Sequence, residues 1–301
     1  MSALAATATS IAEIFEEADA EGFLHAREIG AEGGPEVDSG ADEPVVLASV
    51  FKILVLTAYV RAVAAGTLDP TERTTVTARY RIGGIGTAGF SDDVQASWRD
   101  LAQNMMTMSD NAATDVLYHR LGGDAVDRVI ADLGLRNTRL IGCCEDLFAS
   151  VVADLGGSSD DDLEELLSGA EPEQLLGISA LDPARTSAST PRDVTTLLNA
   201  LWTDTAAPAE ACAQARAIMA QQIWPHRLTS GFPNGVTLAA KTGTLPRWRN
   251  EAGVVTYPDG RQHAVAVFTR ARTLDERLPR VDASIGRAGF AAVEQLRAER
   301  S

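Results

Sequence analysis

Lysine is almost missing from this 301-residue chain: Lys52 and Lys241 stand against 24 arginines. Arginine keeps its charge at any accessible pH, whereas a lysine taken out of water can give up its proton and act as a base. Cysteine is scarce too. Two adjacent residues, Cys143 and Cys144, and a distant Cys212 make no disulfide framework. The four histidines, His25, His119, His226 and His263, show no metal-ligand spacing, and chain order supports no Ser-His-Asp arrangement. Neither a metal nor a cofactor is expected. The longest apolar run, residues 53–65, is too short to span a bilayer and is broken by Arg61. The Ala-rich, acidic opening, 1–22, lacks a basic start followed by an apolar stretch. A soluble, cytoplasmic protein is the expectation. Positive charge is short overall: a net charge of −16 argues against nucleic acid and anionic membrane as partners and leaves a small molecule, with oligomeric state open.

What the chain does have is enough apolar residue, 45%, to fill the core of one large domain over 1–301. Helical patterns cover 11–18, 49–65, 98–106, 112–121, 125–133, 190–202, 209–222 and 281–300. Strand patterns cover 23–29, a short run near Val45, and then 236–242, 252–257 and 262–269, with Pro258-Asp259-Gly260 as a hairpin turn. Strands at both ends and helices between predict an α+β fold. Its antiparallel sheet lobe, about 10–48 and 204–301, is flanked by helices and holds an inserted all-helical lobe, about 49–203. The acidic, Gly-rich stretch 156–170, with Asp160-Asp161-Asp162, reads as a solvated loop or a helix start.

Three short motifs carry chemistry. Ser49 and Lys52 are three apart, neighbours on one helix face and in a first turn that favours negative charge. A desolvated lysine there can activate a hydroxyl nucleophile; the bland alternative is an ordinary serine at a helix N-terminus. Ser109-Asp110-Asn111, between two helices, supplies a hydroxyl for proton relay and a carboxamide for a substrate amide, and these are equally the residues that cap helices. Lys241-Thr242-Gly243-Thr244 ends a strand with a cation and two hydroxyls suited to a carboxylate; Gly243 leaves room for a substrate beside the backbone.

Taken together and in this order, the motifs resemble the joint signature of class A β-lactamases and penicillin-binding proteins. The resemblance runs from about Phe23 to the C-terminus and extends to Leu121-Gly122-Gly123 and the hairpin after Lys241. It implies a β-lactamase-like serine hydrolase working through an acyl-enzyme on a carboxylate-bearing amide or ester. Ser49 is then the acylated nucleophile, Lys52 its base or relay, Ser109 the shuttle to the leaving nitrogen, and Asn111 the amide binder. Lys241, Thr242 and Thr244 form the carboxylate clamp, the N–H groups of Ser49 and Thr244 the oxyanion hole, and Arg227 a guanidinium aimed at the substrate carboxylate. The family also needs a glutamate to activate the deacylating water. Glu145 falls near that place, but the asparagine and the Arg–Asp tether that accompany it are missing, and Glu171 and Glu173 are rivals. β-Lactamase-type hydrolysis, slow if the activator is absent, is the leading expectation. A cytoplasmic esterase, amidase or acyltransferase, and an acyl-trapping binding protein without turnover, are the alternatives.

Overall fold

Both ends of the chain meet in one sheet. The structure, a computed structural model, describes residues 3–159 and 163–299. In chain order the first half runs α1 (Ala3–Glu17), β1 (Ala20–Glu28), β2 (Glu36–Ser39), β3 (Val45–Val46), a 3-10 turn at Ala48–Phe51, α2 (Lys52–Ala64), β4 (Arg73–Val76), β5 (Val94–Ser97), α3 (Trp98–Thr107), α4 (Asn111–Leu121) and α5 (Gly123–Asp132). The second half runs α6 (Cys144–Asp154), α7 (Leu163–Gly169), α8 (Pro172–Gly177), β6 (Ala188–Ser189), α9 (Pro191–Trp202), α10 (Ala209–Met219), α11 (Leu228–Gly231), β7 (Thr237–Leu245), β8 (Trp248–Thr256), β9 (Gln262–Ala271) and α12 (Pro279–Ala298).

The main sheet is antiparallel in the order β2-β1-β9-β8-β7, with Leu24 of β1 opposite Val267 of β9. Successive side chains of β9 serve opposite faces. Val265 and Val267 pack with Leu24 and Ala26 against Ile11 and Phe15 of α1 and Ile285 and Val293 of α12. Ala264, Ala266 and Phe268 belong to the core shared with the helical lobe. The α+β architecture is therefore the one expected, and among the described residues no helix is long and apolar enough to cross a membrane.

α2 is the axis of the helical lobe. Every residue from Lys52 to Val60 is buried, so the helix is wrapped on all sides, by α3, α4, α5 and α10. This corrects the lobe boundary: α10 was assigned to the sheet lobe, but its Cys212, Ala215, Ile218 and Met219 fill the helical core. The short strand near Val45 pairs with β6 and not with the main sheet. Residues 144–154, without a helical reading in the sequence, form α6, whose N-terminus is closed by a reciprocal box between Cys143 and Asp146. The acidic stretch supplies α7, while Asp160-Asp161-Asp162 lies outside the described residues, as does Arg300 at the end of the expected last helix.

Candidate active site

Ser49 sits in the 3-10 turn that leads into α2, one residue after Ala48, whose φ is +45°. A β-carbon in the left-handed region is strained and persists only where its surroundings hold it. Two devices do so. Asn250 of β8 donates from Nδ2 to the carbonyl oxygens of Val46 (2.8 Å) and Leu47 (3.4 Å). Gly243 of β7 lets that strand lie directly on the turn: a Cβ there would stand 2.8 Å from the Leu47 oxygen and 3.2 Å from the Ser49 nitrogen. The glycine thus makes room for the turn that carries Ser49, which corrects the expectation that it clears space for a substrate.

Lys52, fully buried at the head of α2, reaches across to the α3–α4 connection. Its Nζ donates to the Ser109 carbonyl (2.8 Å), to Asn111 Oδ1 (2.8 Å) and, at 3.3 Å, to Ser109 Oγ. All of its bonds go to Ser109 and Asn111, and among the described residues the Ser49 hydroxyl has no partner. Burial lowers the Lys52 pKa, opposed by Cys144, Asp115 and Asp110 nearby. Ser109 also takes a left-handed φ, +67°. Asp110 caps α4 through the Ala113 N–H (3.0 Å) and accepts from both the backbone and hydroxyl of Thr87 (2.6 and 2.8 Å), and Asn111 donates to the Gly83 carbonyl at 3.2 Å. The middle motif is therefore both a cap and a clasp on the 83–87 loop, and it presents Ser109 and Asn111 inward.

β7 forms the opposite wall. Thr242 and Thr244 border the cleft, while Lys241 is fully buried behind them and donates to the Thr242 carbonyl at 2.9 Å. Burial first, and then the charge of Lys52, hold its pKa well below that of a free lysine. Arg227, only 3% exposed, spends four donors on the protein: Nε on Asp282 (2.7 Å), Nη1 on the carbonyls of Gly243 (2.9 Å) and Asn250 (3.0 Å), and Nη2 on Thr244 Oγ1 (2.9 Å). A guanidinium has five N–H groups, so one remains. The cleft between these walls holds about 320 Å³ and is lined by Ser49, Ser109, Asn111, His226, Arg227, Thr242 and Thr244, with Ile85, Met108 and Trp224 as its apolar side.

Glu145 is not part of that lining. Its carboxylate lies 2.7 Å from His119 Nε2 and 3.6 Å from Arg79, and the lining of the cleft gives no support to its expected place as water activator. Glu171 caps α8 and Glu173 is exposed on that helix, so neither rival reaches the cleft. The residue beside the two amines is Cys144, whose thiol donates to Asn111 Oδ1 at 3.4 Å and is pushed by burial up to about 12. Buried Asp115 fixes this position by accepting the N–H groups of Cys144 (2.7 Å) and Glu145 (3.0 Å); burial raises its own pKa to about 6. Neither Cys144 nor Asp115 was legible as a site residue, because an adjacent cysteine pair and a helix-interior aspartate carry no motif. A further hidden support is Gln222, which accepts the Thr242 N–H (2.8 Å) and donates to the buried Glu251 (2.5 Å).

Comparison with known proteins agrees with this geometry. The chain is 28% identical over 281 residues to the beta-lactamase regulatory protein BlaB of Streptomyces cacaoi, covering 88% of this chain and 89% of that one. The structure is similar to the beta-lactamase of Sphaerobacter thermophilus, with a TM-score of 0.76, 25% identity and 97% of each chain covered. It also resembles the protein PBP-A in fold, with a TM-score of 0.75 at 22% identity over 96% of each chain. A family model described as the beta-lactamase enzyme family matches residues 6–296. With a match of that extent and a three-motif cleft on the corresponding fold, the chain belongs to the beta-lactamase enzyme family.

Proposed function

We propose that this protein is acylated at Ser49 by a carboxylate-bearing cyclic amide of the β-lactam class, and that the resulting acyl-enzyme is long-lived. The observation that carries the reading is the composition of one cleft: two serine hydroxyls, a carboxamide, two threonine hydroxyls, a guanidinium and the imidazole of His226, with a buried amine behind them and no carboxylate among its described lining residues.

In this reading Lys52 is neutral when it acts. A neutral amine has two N–H donors, and the Ser109 carbonyl and Asn111 Oδ1 take both at 2.8 Å; the 3.3 Å contact with Ser109 Oγ then becomes one in which the hydroxyl donates, and the lone pair is open to a hydroxyl proton. Ser49 Oγ then attacks the carbonyl carbon and loses its proton to Lys52. The N–H groups of Ser49 and Thr244 receive the oxyanion. As the C–N bond breaks, the proton moves from Lys52 through Ser109 Oγ, 3.3 Å away, to the leaving nitrogen. Thr242, Thr244 and the remaining N–H of Arg227 hold the substrate carboxylate, and Lys241 braces the strand from behind through the Thr242 carbonyl.

Deacylation requires a base for water. Cys144 keeps its proton at neutral pH and is not among the lining residues, Glu145 is bound to His119 on the other side of the α6 turn, and His226 lines the cleft on the Arg227 side, edge-on to Trp224. The similar Streptomyces cacaoi protein is named as a regulatory protein, which favours a receptor that reports acylation over a turnover enzyme. The test is to mix the protein with a chromogenic cephalosporin and with a penicillin, follow absorbance and then take an intact mass. The expected result is a stoichiometric burst and an adduct of one substrate mass on Ser49, absent in Ser49→Ala. Steady turnover without accumulation would refute the long-lived adduct. Neither adduct nor turnover, with hydrolysis of a p-nitrophenyl ester, would favour an esterase instead.

A further inference from the structure

The structure brings His119 to two donors of the 143–145 turn, outside the catalytic cleft. His119 sits near the end of α4, Cys143 immediately precedes α6, and Glu145 lies in the first turn of α6. A nitrogen of His119, the sulfur of Cys143 and a carboxylate oxygen of Glu145 all fall within 4.8 Å of one another. We propose that these residues form a binding site for a thiophilic transition-metal ion of the zinc type.

The argument rests on the donor set as well as on proximity. Imidazole, thiolate and carboxylate are the three ligand types that zinc combines, and three protein ligands leave a fourth position for water. Calcium and magnesium take all-oxygen sites and are disfavoured here. The burial is graded. Cys143 is buried, Glu145 is partly covered at 23% side-chain exposure and His119 is open at 37%, so the imidazole and the carboxylate lie nearer to solvent than the sulfur. His119 Nε2 and Glu145 Oε1 now share a hydrogen bond at 2.7 Å. Ligands of one tetrahedral zinc stand about 3.3 Å apart, so the pair opens slightly while the thiol proton is released to solvent and the sulfur binds as thiolate. The competing partner of Glu145 is Arg79, at 3.6 Å and 66% exposed. An exposed pair of that kind is weak and yields readily to a divalent ion. The turn is already braced, because Asp146 accepts the Cys143 N–H at 2.8 Å. A bound ion would tie α4 to the first turn of α6, next to Cys144 and its contact with Asn111.

The test uses the full chain, reduced and stripped of metal with a chelator, and titrated with cobalt(II) chloride. The expected result is one cobalt per chain, with visible ligand-field bands and a near-ultraviolet thiolate-to-cobalt charge-transfer band, and release of cobalt by zinc chloride. Both bands are lost in Cys143→Ser. In His119→Ala, which removes a part-exposed ring resting on Tyr80 and Tyr118, the ligand-field bands collapse, and the rise in melting temperature that zinc gives the parent, each protein compared with its own metal-free form, disappears. Absence of a charge-transfer band in the reduced parent, survival of that band in Cys143→Ser, or an undiminished zinc-induced melting shift in His119→Ala would each overturn the proposal.

Discussion

Gly243→Ala is the most informative single change, because it tests whether β7 shapes the turn that carries Ser49. The added Cβ would stand 2.8 Å from the Leu47 oxygen, 3.2 Å from Ala48 Cβ and 3.2 Å from the Ser49 nitrogen. These atoms belong to the main chain or are fixed to it, so no rotamer change relieves the contact. β7 is paired to β8 along its whole length, Thr237 to Leu245, and yields little. The turn therefore moves. Overpacking of this kind costs about 1–3 kcal/mol, and at about 2–4 °C per kcal/mol in domains approaching this size the melting temperature falls by at least about 2 °C. The larger effect is on acylation. In the proposed mechanism the Ser49 N–H is an oxyanion-hole donor, and displacing one such donor slows the chemistry by about 10²–10³-fold. Calorimetry and stopped-flow acylation by a chromogenic cephalosporin read the two effects. Gly177→Ala, where a new Cβ meets nothing, is the control and changes neither. If Gly243→Ala acylates within about threefold of the parent, the turn does not depend on this strand contact and the account of the site is wrong.

Three further outcomes are expected. Arg227→Lys lowers acylation and destabilises the fold, because one ammonium cannot serve Asp282, two carbonyls and Thr244 at once; a variant with parental melting and rate would show that the fork is dispensable. Glu145→Gln leaves the lifetime of the acyl adduct unchanged by intact-mass decay, since its carboxylate faces His119, and a clearly longer lifetime would restore it as the water activator. His263→Phe removes a buried imidazole whose two nitrogens have no hydrogen-bond partner among the described residues and whose pKa burial lowers to about 4. Unfolding lets that ring take a proton at its ordinary pKa near 6.5, so the native state loses stability as pH falls from about 6.5 to 4, by roughly 3 kcal/mol in all. The stability gap between parent and variant should widen in favour of the variant over that window, and a gap constant with pH would refute the assignment.

The parts of the site legible in the sequence are those tied to local spacing. Ser49 and Lys52 declare themselves by their separation and by the apolar helix that follows. Ser109 and Asn111 show because their capping chemistry and their inward presentation use the same three residues. Thr242 and Thr244 follow from a strand ending in hydroxyls. What stayed hidden depends on contacts across long sequence separations. Arg227 was legible as a cation but not as a brace joining β7, β8 and α12. Gly243 looked like substrate space because the turn it meets lies almost two hundred residues earlier. Glu145 was placed by counting along the chain, and counting cannot reveal that His119 holds it or that Cys144 takes the inner position. α6 was missed because its start relies on a cysteine cap, and Cys143 reads in sequence only as half of an adjacent pair.

The pairing of Leu24 with Val267 has a consequence for how the molecule is made. During synthesis β1 and β2 leave the ribosome without their neighbour, and the helical lobe can collapse around α2 long before β9 exists. Sheet closure must then wait for nearly the whole chain, a non-local step of the slow kind. Because β7 and β8 border Ser49 and emerge only shortly before β9, a nascent chain stalled ahead of them carries the helical part of the cleft without the strand that forms its opposite wall, so the turn that holds Ser49 is shaped only as translation finishes.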